Sequence, residues 1–144
     1  LLAALELGKR RKAHLPNEKP LISSSRDAFD FLHPIFNDLQ HEQFYLLLLN
    51  RSNHIVFHRR ISDGGVGATV VDPKILFKVA IDELASSIII AHNHPSGNLK
   101  PSQSDISLTH KINEAGKFLD IKLLDHLIVT DSSYYSFADE GMIT

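Results

Sequence analysis

Two segments of strand length, residues 42–49 and 121–129, carry apolar side chains on both faces. A strand of this kind has to be covered on both sides, as happens in a sheet that lies between layers of helices. Segments with helical periodicity separate the predicted strands, and the chain is 43% hydrophobic and 22% charged, which is a globular composition. The sequence therefore predicts an α/β domain with a mixed β-sheet flanked by helices.

Turn and capping residues divide the rest of the chain into further elements. A turn at residues 51–53 joins the strand at 42–49 to one at 54–61, which predicts a β-hairpin. Asp72 followed by Pro73 marks the start of a helix that runs to about residue 84. Similar patterns predict helices at residues 1–14, 25–39 and 102–119, and strands at residues 68–71, 87–92 and 134–137.

The first 22 residues differ in character from the remainder. The helix predicted at residues 1–14 ends in a basic cluster at 9–12, and Pro16 and Pro20 then indicate a linker. Such a cluster is typically a solvated helix end, although it could also contact an acidic partner. We therefore expect residues 1–22 to be a helical tail with its linker, and residues 23–144 to form the domain.

Composition excludes several classes of function. The chain has no cysteine, which rules out disulfides, thiolate zinc fingers, iron–sulfur clusters and cysteine nucleophiles. The formal net charge of -2 argues against binding nucleic acid by charge alone. Because the longest apolar run, residues 44–49, is far shorter than the ~20 residues of a membrane helix, and because no export signal is visible, we expect a cytoplasmic protein without a membrane anchor.

Two histidines mark the end of the strand predicted at residues 87–92. Residues two apart in a strand share a face, so His92 and His94 project to the same side. Residues 95–101 favour a chain reversal, which would bring Asp105, in the first turn of the next helix, back toward the imidazoles. Two imidazoles and a carboxylate are typical protein ligands of a catalytic zinc ion, and they also suit iron(II), cobalt or manganese.

Each half of this pattern also has an ordinary structural explanation. Ser102 and Asp105 have the spacing of a capping box, in which a serine and an acidic residue satisfy the first amides of a helix. A lone His-x-His on a strand is commonly incidental. The metal-site hypothesis therefore depends on the joint occurrence of the two patterns.

The joint pattern, His92-x-His94 with seven residues before Ser102-x-x-Asp105, resembles the JAMM motif of the JAB/MPN metallopeptidase superfamily. The wider sequence, residues 92–97 with Pro101-Ser102 and then residues 125–126, looks like the bacterial RadC family, long labelled DNA repair proteins. The resemblance covers residues 23–144, and residues 1–14 resemble the tail of a preceding helical region. It implies a JAB/MPN-like, cytidine-deaminase-like fold.

The resemblance also implies a reaction. One Zn²⁺ per chain would be held by His92, His94 and Asp105, Glu42 would transfer the proton of the attacking water to the leaving amine, and Ser102 would stabilise the oxyanion. The implied partner is a peptide or protein substrate, cleaved at a peptide or isopeptide bond. From the residues alone, Glu42 is equally well explained as a solvated residue at the start of a strand.

Asp125 and His126 are adjacent within a predicted strand, so their side chains should face opposite sides of the sheet. One of them could orient a metal ligand through a hydrogen bond. Alternatively, either could be a buried polar residue that backbone groups satisfy.

Other functions compete with hydrolysis. A DNA-repair-associated accessory domain without peptidase activity is the main alternative, supported by the basic residues at 9–12 and 59–60 but not by the net charge. An HNH nuclease is excluded, because its three residues are dispersed over a ββα unit rather than consecutive. A zinc nucleobase deaminase lacks its Cys-x-x-Cys here. The sequence does not indicate an oligomeric state.

Overall fold

The computed structural model describes residues 19–64 and 71–144. Its helices are α1 (Ser25–Phe36), α2 (Pro73–Asp82) and α3 (Gln103–Leu119). Its strands are β1 (Gln43–Leu49), β2 (Ile55–Asp63), β3 (Ser87–Asn93), β4 (Lys122–Val129) and β5 (Tyr134–Ser136). The helix predicted at residues 1–14, and most of the strand predicted at residues 68–71, lie outside the described residues.

The strands form one five-stranded sheet in the order β2-β1-β3-β4-β5. β1 is antiparallel to both β2 and β3, β3 and β4 are parallel, and β5 is antiparallel to β4. Parallel neighbours need a long crossover, and α3 lies within the connection that leads from β3 to β4. The predicted mixed sheet and its early hairpin are therefore confirmed.

Helices cover both faces of the sheet, as the two-faced apolar strands require. On one face α1 packs against the strands through buried residues that include Ala28, Phe29, Leu32, Phe36, Leu47, Leu49, Ile89, Ala91, Leu127 and Val129. On the other face α2 and α3 pack through Leu76, Phe77, Ala80, Ile112, Phe44, Leu46, Ile88, Ile90 and Leu123, among others. Every residue of β3 is buried, which places this strand at the centre of the domain.

Two helices end earlier than the sequence predicts. The helix predicted to reach residue 39 ends at Phe36, because Asn37 leaves the helical region and Asp38 takes a positive φ of 62°. Pro34 lies inside α1 and does not end it. The helix predicted to reach residue 84 ends at Asp82. Among the described helices, none is long and apolar enough to cross a membrane.

A register shift in β4 determines which side chains face the α3 side of the sheet. The pairing with β3 jumps from Leu123 to Asp125, so Leu124 is an extra residue on its strand. Leu123 belongs to the core beneath α2 and α3, and His126 contacts Thr109 of α3. These two β4 residues therefore share a face although they are three residues apart.

Asp125 faces the α1 side of the sheet and joins β4 to the segment around β5. Its Oδ2 accepts a hydrogen bond from Ser136 Oγ at 2.6 Å, and its Oδ1 accepts from the backbone amides of His126 and Ala138 at 2.7 and 3.0 Å. Burial raises the pKa of the Asp125 carboxyl above its ordinary value, and these three hydrogen bonds oppose that effect. The side chain is thus a buried polar residue satisfied locally.

We expect Asp125→Ala to lower the free energy of unfolding by about 3 kcal/mol, because three interior donors lose their acceptor. Asp125→Asn keeps an oxygen for the two amides and should cost no more than about 1 kcal/mol. Urea denaturation of both variants measures the difference. Equal losses would contradict a role for this carboxylate as a hydrogen-bond acceptor.

Candidate metal centre

The three predicted ligands converge beyond the carboxyl end of β3. One ligand atom from each of His92, His94 and Asp105 lies within 4.8 Å of the others. Nε2 of His92 is 3.0 Å from Nε2 of His94 and 3.3 Å from Oδ1 of Asp105, and Nε2 of His94 is 3.8 Å from Oδ2 of Asp105. The predicted convergence of two imidazoles and a carboxylate is therefore present.

The backbone beyond β3 fixes the position and the tautomer of His94. The backbone N–H of His94 donates to the carbonyl of Val129 in β4 at 2.9 Å, which continues the strand pairing. Gly97, with a φ of 83°, closes a turn by donating its N–H to the His94 carbonyl at 3.0 Å. Nδ1 of His94 lies 2.6 Å from the carbonyl oxygen of Asn98. A carbonyl only accepts, so Nδ1 carries a proton, and in the neutral ring Nε2 keeps its lone pair.

Asp105 serves the helix and the candidate site together. Its Oδ2 accepts from the Ser102 backbone N–H at 2.7 Å, and its own N–H donates to Ser102 Oγ at 3.0 Å, so the capping box is present. Burial by itself would raise the pKa of the Asp105 carboxyl. The neighbouring His92 imidazole, together with the bonds from Ser102, outweighs burial and holds that pKa below its ordinary value.

The donor set fits a divalent metal ion. The Nε2 lone pair of His94 and the ionised carboxylate of Asp105 are electron-pair donors that face each other across less than 4 Å, with Nε2 of His92 beside them. A cation between these atoms would relieve their mutual repulsion. Two nitrogens and one oxygen are ligands that zinc accepts, and related divalent metals accept them too.

Glu42 reaches the same place from β1. Its Oε1 lies 3.9 Å from Nε2 of His94. Asn93, which lies between the two histidines in sequence, is buried, and its side chain holds the backbone on either side of Glu42. Its Oδ1 accepts from the Gln43 N–H at 2.7 Å, and its Nδ2 donates to the His41 carbonyl at 3.0 Å. The position of Glu42 is therefore tied directly to the strand that carries His92 and His94.

The five residues predicted to bind metal or take part in catalysis line one cavity of about 710 Å³. They are Glu42, His92, His94, Ser102 and Asp105. Because Ser102 Oγ accepts the Asp105 amide hydrogen bond, its own hydroxyl proton can be donated to a bound molecule. The arrangement can therefore offer a metal site, a carboxylate and a hydroxyl donor to one substrate.

His126 and Asp125 point to opposite faces of the sheet. His126 is fully buried, and its Nε2 lies 2.9 Å from Nδ1 of His92. Burial lowers the pKa of His126 well below its ordinary value, and the nearby His92 ring lowers it further, whereas the Asp105 carboxylate acts in the opposite direction. Asp125, whose contacts are with Ser136 and Ala138, lies on the α1 side, away from this contact.

Sequence reasoning missed two residues of the site, Asn93 and Thr109. Asn93 is an amide at the end of a buried strand, where an amide needs hydrogen-bond partners, and this alone could have identified it. Thr109 lies four residues after Asp105, on the same side of α3, and so faces the sheet. Its partner His126, however, lies in β4, and the face to which His126 points depends on the register shift at Leu124.

Comparison with known proteins shows the family of this chain. The family model of the RadC-like JAB domain matches residues 22–142. Similar curated proteins include a UPF0758 protein of Flavobacterium johnsoniae, 47% identical over 99% of this chain and 62% of its own length. Another is a UPF0758 protein of Porphyromonas gingivalis, 41% identical over 99% of this chain and 63% of its own length. The chain thus spans less than two thirds of these relatives. With its His-His-Asp group at the end of β3, this chain belongs to the RadC-like JAB domain family.

Proposed function

We propose that this domain is a zinc-dependent hydrolase that cleaves a peptide or isopeptide bond with water. The observation that carries the proposal is that the His-His-Asp group and the Glu42 carboxylate line one cavity. A metal site with no acid–base group beside it would suit a structural role. A carboxylate 3.9 Å from a candidate ligand favours hydrolysis instead.

His92, His94 and Asp105 would hold the ion. Zinc is the metal we favour, because two imidazoles and a carboxylate are a known ligand set of catalytic zinc sites. When bound, the metal supplies a Lewis acid that makes water a stronger acid and the scissile carbonyl more electrophilic.

Glu42 is proposed as the general base and then the general acid. Its carboxylate takes one proton from the attacking water while the water oxygen forms a bond to the carbonyl carbon. It then gives that proton to the nitrogen as the carbon–nitrogen bond breaks, so the products are an acid and an amine. The two hydrogen bonds from Asn93 to the backbone on either side of Glu42 support this role, because proton transfer requires a fixed distance between the base and the water.

Ser102 is proposed to stabilise the charge that develops on the carbonyl oxygen. Its Oγ is held by the Asp105 N–H at the first turn of α3, and the residue lines the cavity. A hydroxyl positioned in this way can donate to the developing oxyanion without first having to be ordered.

The alternative, a DNA-repair-associated accessory role without peptidase activity, has weaker support. Arg59 and Arg60 are exposed on β2, but Arg60 contacts Asp63 at 3.5 Å and the chain as a whole carries a net charge of -2. Binding to DNA through these residues would weaken steeply as salt is added.

We expect His92→Ala and Asp105→Asn to lose bound zinc. Asp105→Asn is the sharper change, because its amide oxygen can still accept the Ser102 N–H of the capping box while the carboxylate ligand is removed. Zinc content of the purified proteins, measured by elemental analysis, checks this expectation.

The matched control for these variants is His110→Ala. His110 is an exposed histidine on the same helix as Asp105, so its removal should leave the zinc content unchanged. A full metal complement in both His92→Ala and Asp105→Asn would refute the site.

We expect Glu42→Gln to keep its zinc and to lower the turnover of a cleaved peptide by about 10²–10⁴-fold, the usual contribution of a general base. A peptide-library screen of the wild-type chain supplies the substrate, and Glu114→Gln on the surface of α3 serves as control. Wild-type turnover by Glu42→Gln would remove Glu42 from the proton transfer.

A further inference from the structure

A row of three contacts connects α3 and β4 to the ligand His92. Thr109 Oγ1 donates to the backbone carbonyl of Asp105 at 2.7 Å and lies 2.6 Å from Nδ1 of His126. Nε2 of His126 lies 2.9 Å from Nδ1 of His92. Each contact joins atoms that could in principle exchange donor and acceptor, except at the carbonyl, which only accepts.

Because this carbonyl can only accept, it determines which atom is the donor in each of the three contacts. The single hydroxyl proton of Thr109 is used on the Asp105 carbonyl, so the hydroxyl oxygen can only accept from Nδ1–H of His126. In a neutral His126 the other nitrogen, Nε2, then carries a lone pair. It accepts from His92, whose proton must sit on Nδ1.

The surroundings of His126 keep the ring neutral. It is fully buried, its ring stacks on Phe137 with centroids 4.6 Å apart, and Phe44 lies against it at 5.9 Å. Its two nitrogens contact a hydroxyl and an imidazole, neither of which is a carboxylate. An imidazolium enclosed in this way would be costly, so the ring has one proton to place.

We propose that Thr109 and His126 are positioning residues that hold His92 as the Nδ1–H tautomer, which leaves its Nε2 lone pair for a metal ion. The proposal rests on the metal centre of the proposed function, but not on the hydrolysis. With the opposite proton placement, the hydrogen would sit on Nε2 of His92, the nitrogen that lies 3.0 Å from Nε2 of His94. Nε2 of His92 would then have no lone pair to offer and could not bind a metal ion.

The three contacts begin on α3, the helix that also carries a candidate ligand. Asp105 contributes its carboxylate to the candidate ligand group and its backbone carbonyl to the end of the row. A shift of α3 would therefore disturb a ligand and the tautomer of His92 together. α3 therefore supplies one candidate ligand, Asp105, and also helps to set the tautomer of another, His92.

Thr109→Val tests the proposal, with Thr109→Ser as its matched control. Valine has nearly the shape of threonine but cannot accept from Nδ1–H of His126, which frees that ring to turn its proton toward His92. We expect zinc affinity, measured by competition with a chelator, to fall by roughly 10–100-fold in Thr109→Val. Thr109→Ser, which retains the hydroxyl, should bind zinc as the wild type does. Equal affinity in the valine and serine variants would overturn the proposal.

A second measurement needs no variant and no hydrolysis. Nitrogen-15 chemical shifts of the histidine rings in the metal-free chain distinguish Nδ1–H from Nε2–H tautomers. We expect both His92 and His126 as Nδ1–H in the wild type, and an increased Nε2–H population of His92 in Thr109→Val. A wild-type His92 protonated on Nε2 would overturn the proposal, whereas a chain with the expected tautomers that binds zinc but cleaves no peptide would contradict the proposed function alone.

Discussion

Three electron-pair donors held within 4.8 Å of one another are the constraint on which the site depends. The Nε2 atoms of His92 and His94 are 3.0 Å apart, with Asp105 Oδ1 3.3 Å from the first. Such donors repel one another unless a proton or a cation lies between them, and nothing in their own chemistry would bring them together. The backbone does so, because β3 and the residue that follows it present the two imidazoles and the capping box fixes the carboxylate.

The Asp105 carboxylate therefore belongs both to the cap of α3 and to the candidate ligand group. As the N3 residue of α3, Asp105 satisfies the Ser102 amide, which contributes to helix stability on the order of 1 kcal/mol. The capping bond also removes much of the rotational freedom of the side chain, so a metal ion would find it already ordered. The capping box that Ser102 and Asp105 predict is present, and the same Asp105 carboxylate belongs to the candidate His-His-Asp group.

Local patterns in the sequence predicted the strands and helices of the described residues, apart from the points where α1 and α2 end, and they also indicated the candidate ligands. Strand alternation placed His92 and His94 on one side, and the helix start near Ser102 brought Asp105 back to them. The partner of His92 could not be found in this way. Regular alternation from Leu123 predicts the wrong face for residue 126, and only the extra residue at Leu124 corrects it. A bulge of this kind depends on the pairing of two distant strands, which a local pattern does not contain.

The register between β1 and β3 explains the position of Glu42. β1 runs antiparallel to β3, and their paired residues, such as Phe44 with His92 and Leu46 with Ile90, have numbers that sum to 136. Continued by two residues, this register sets residue 42 opposite residue 94, where Glu42 indeed lies near His94. A slip of one residue would turn the carboxylate to the other face. The hydrogen bonds of Asn93 to the backbone on both sides of Glu42 oppose such a slip, so the residue between the two histidines secures the register that brings the carboxylate to them.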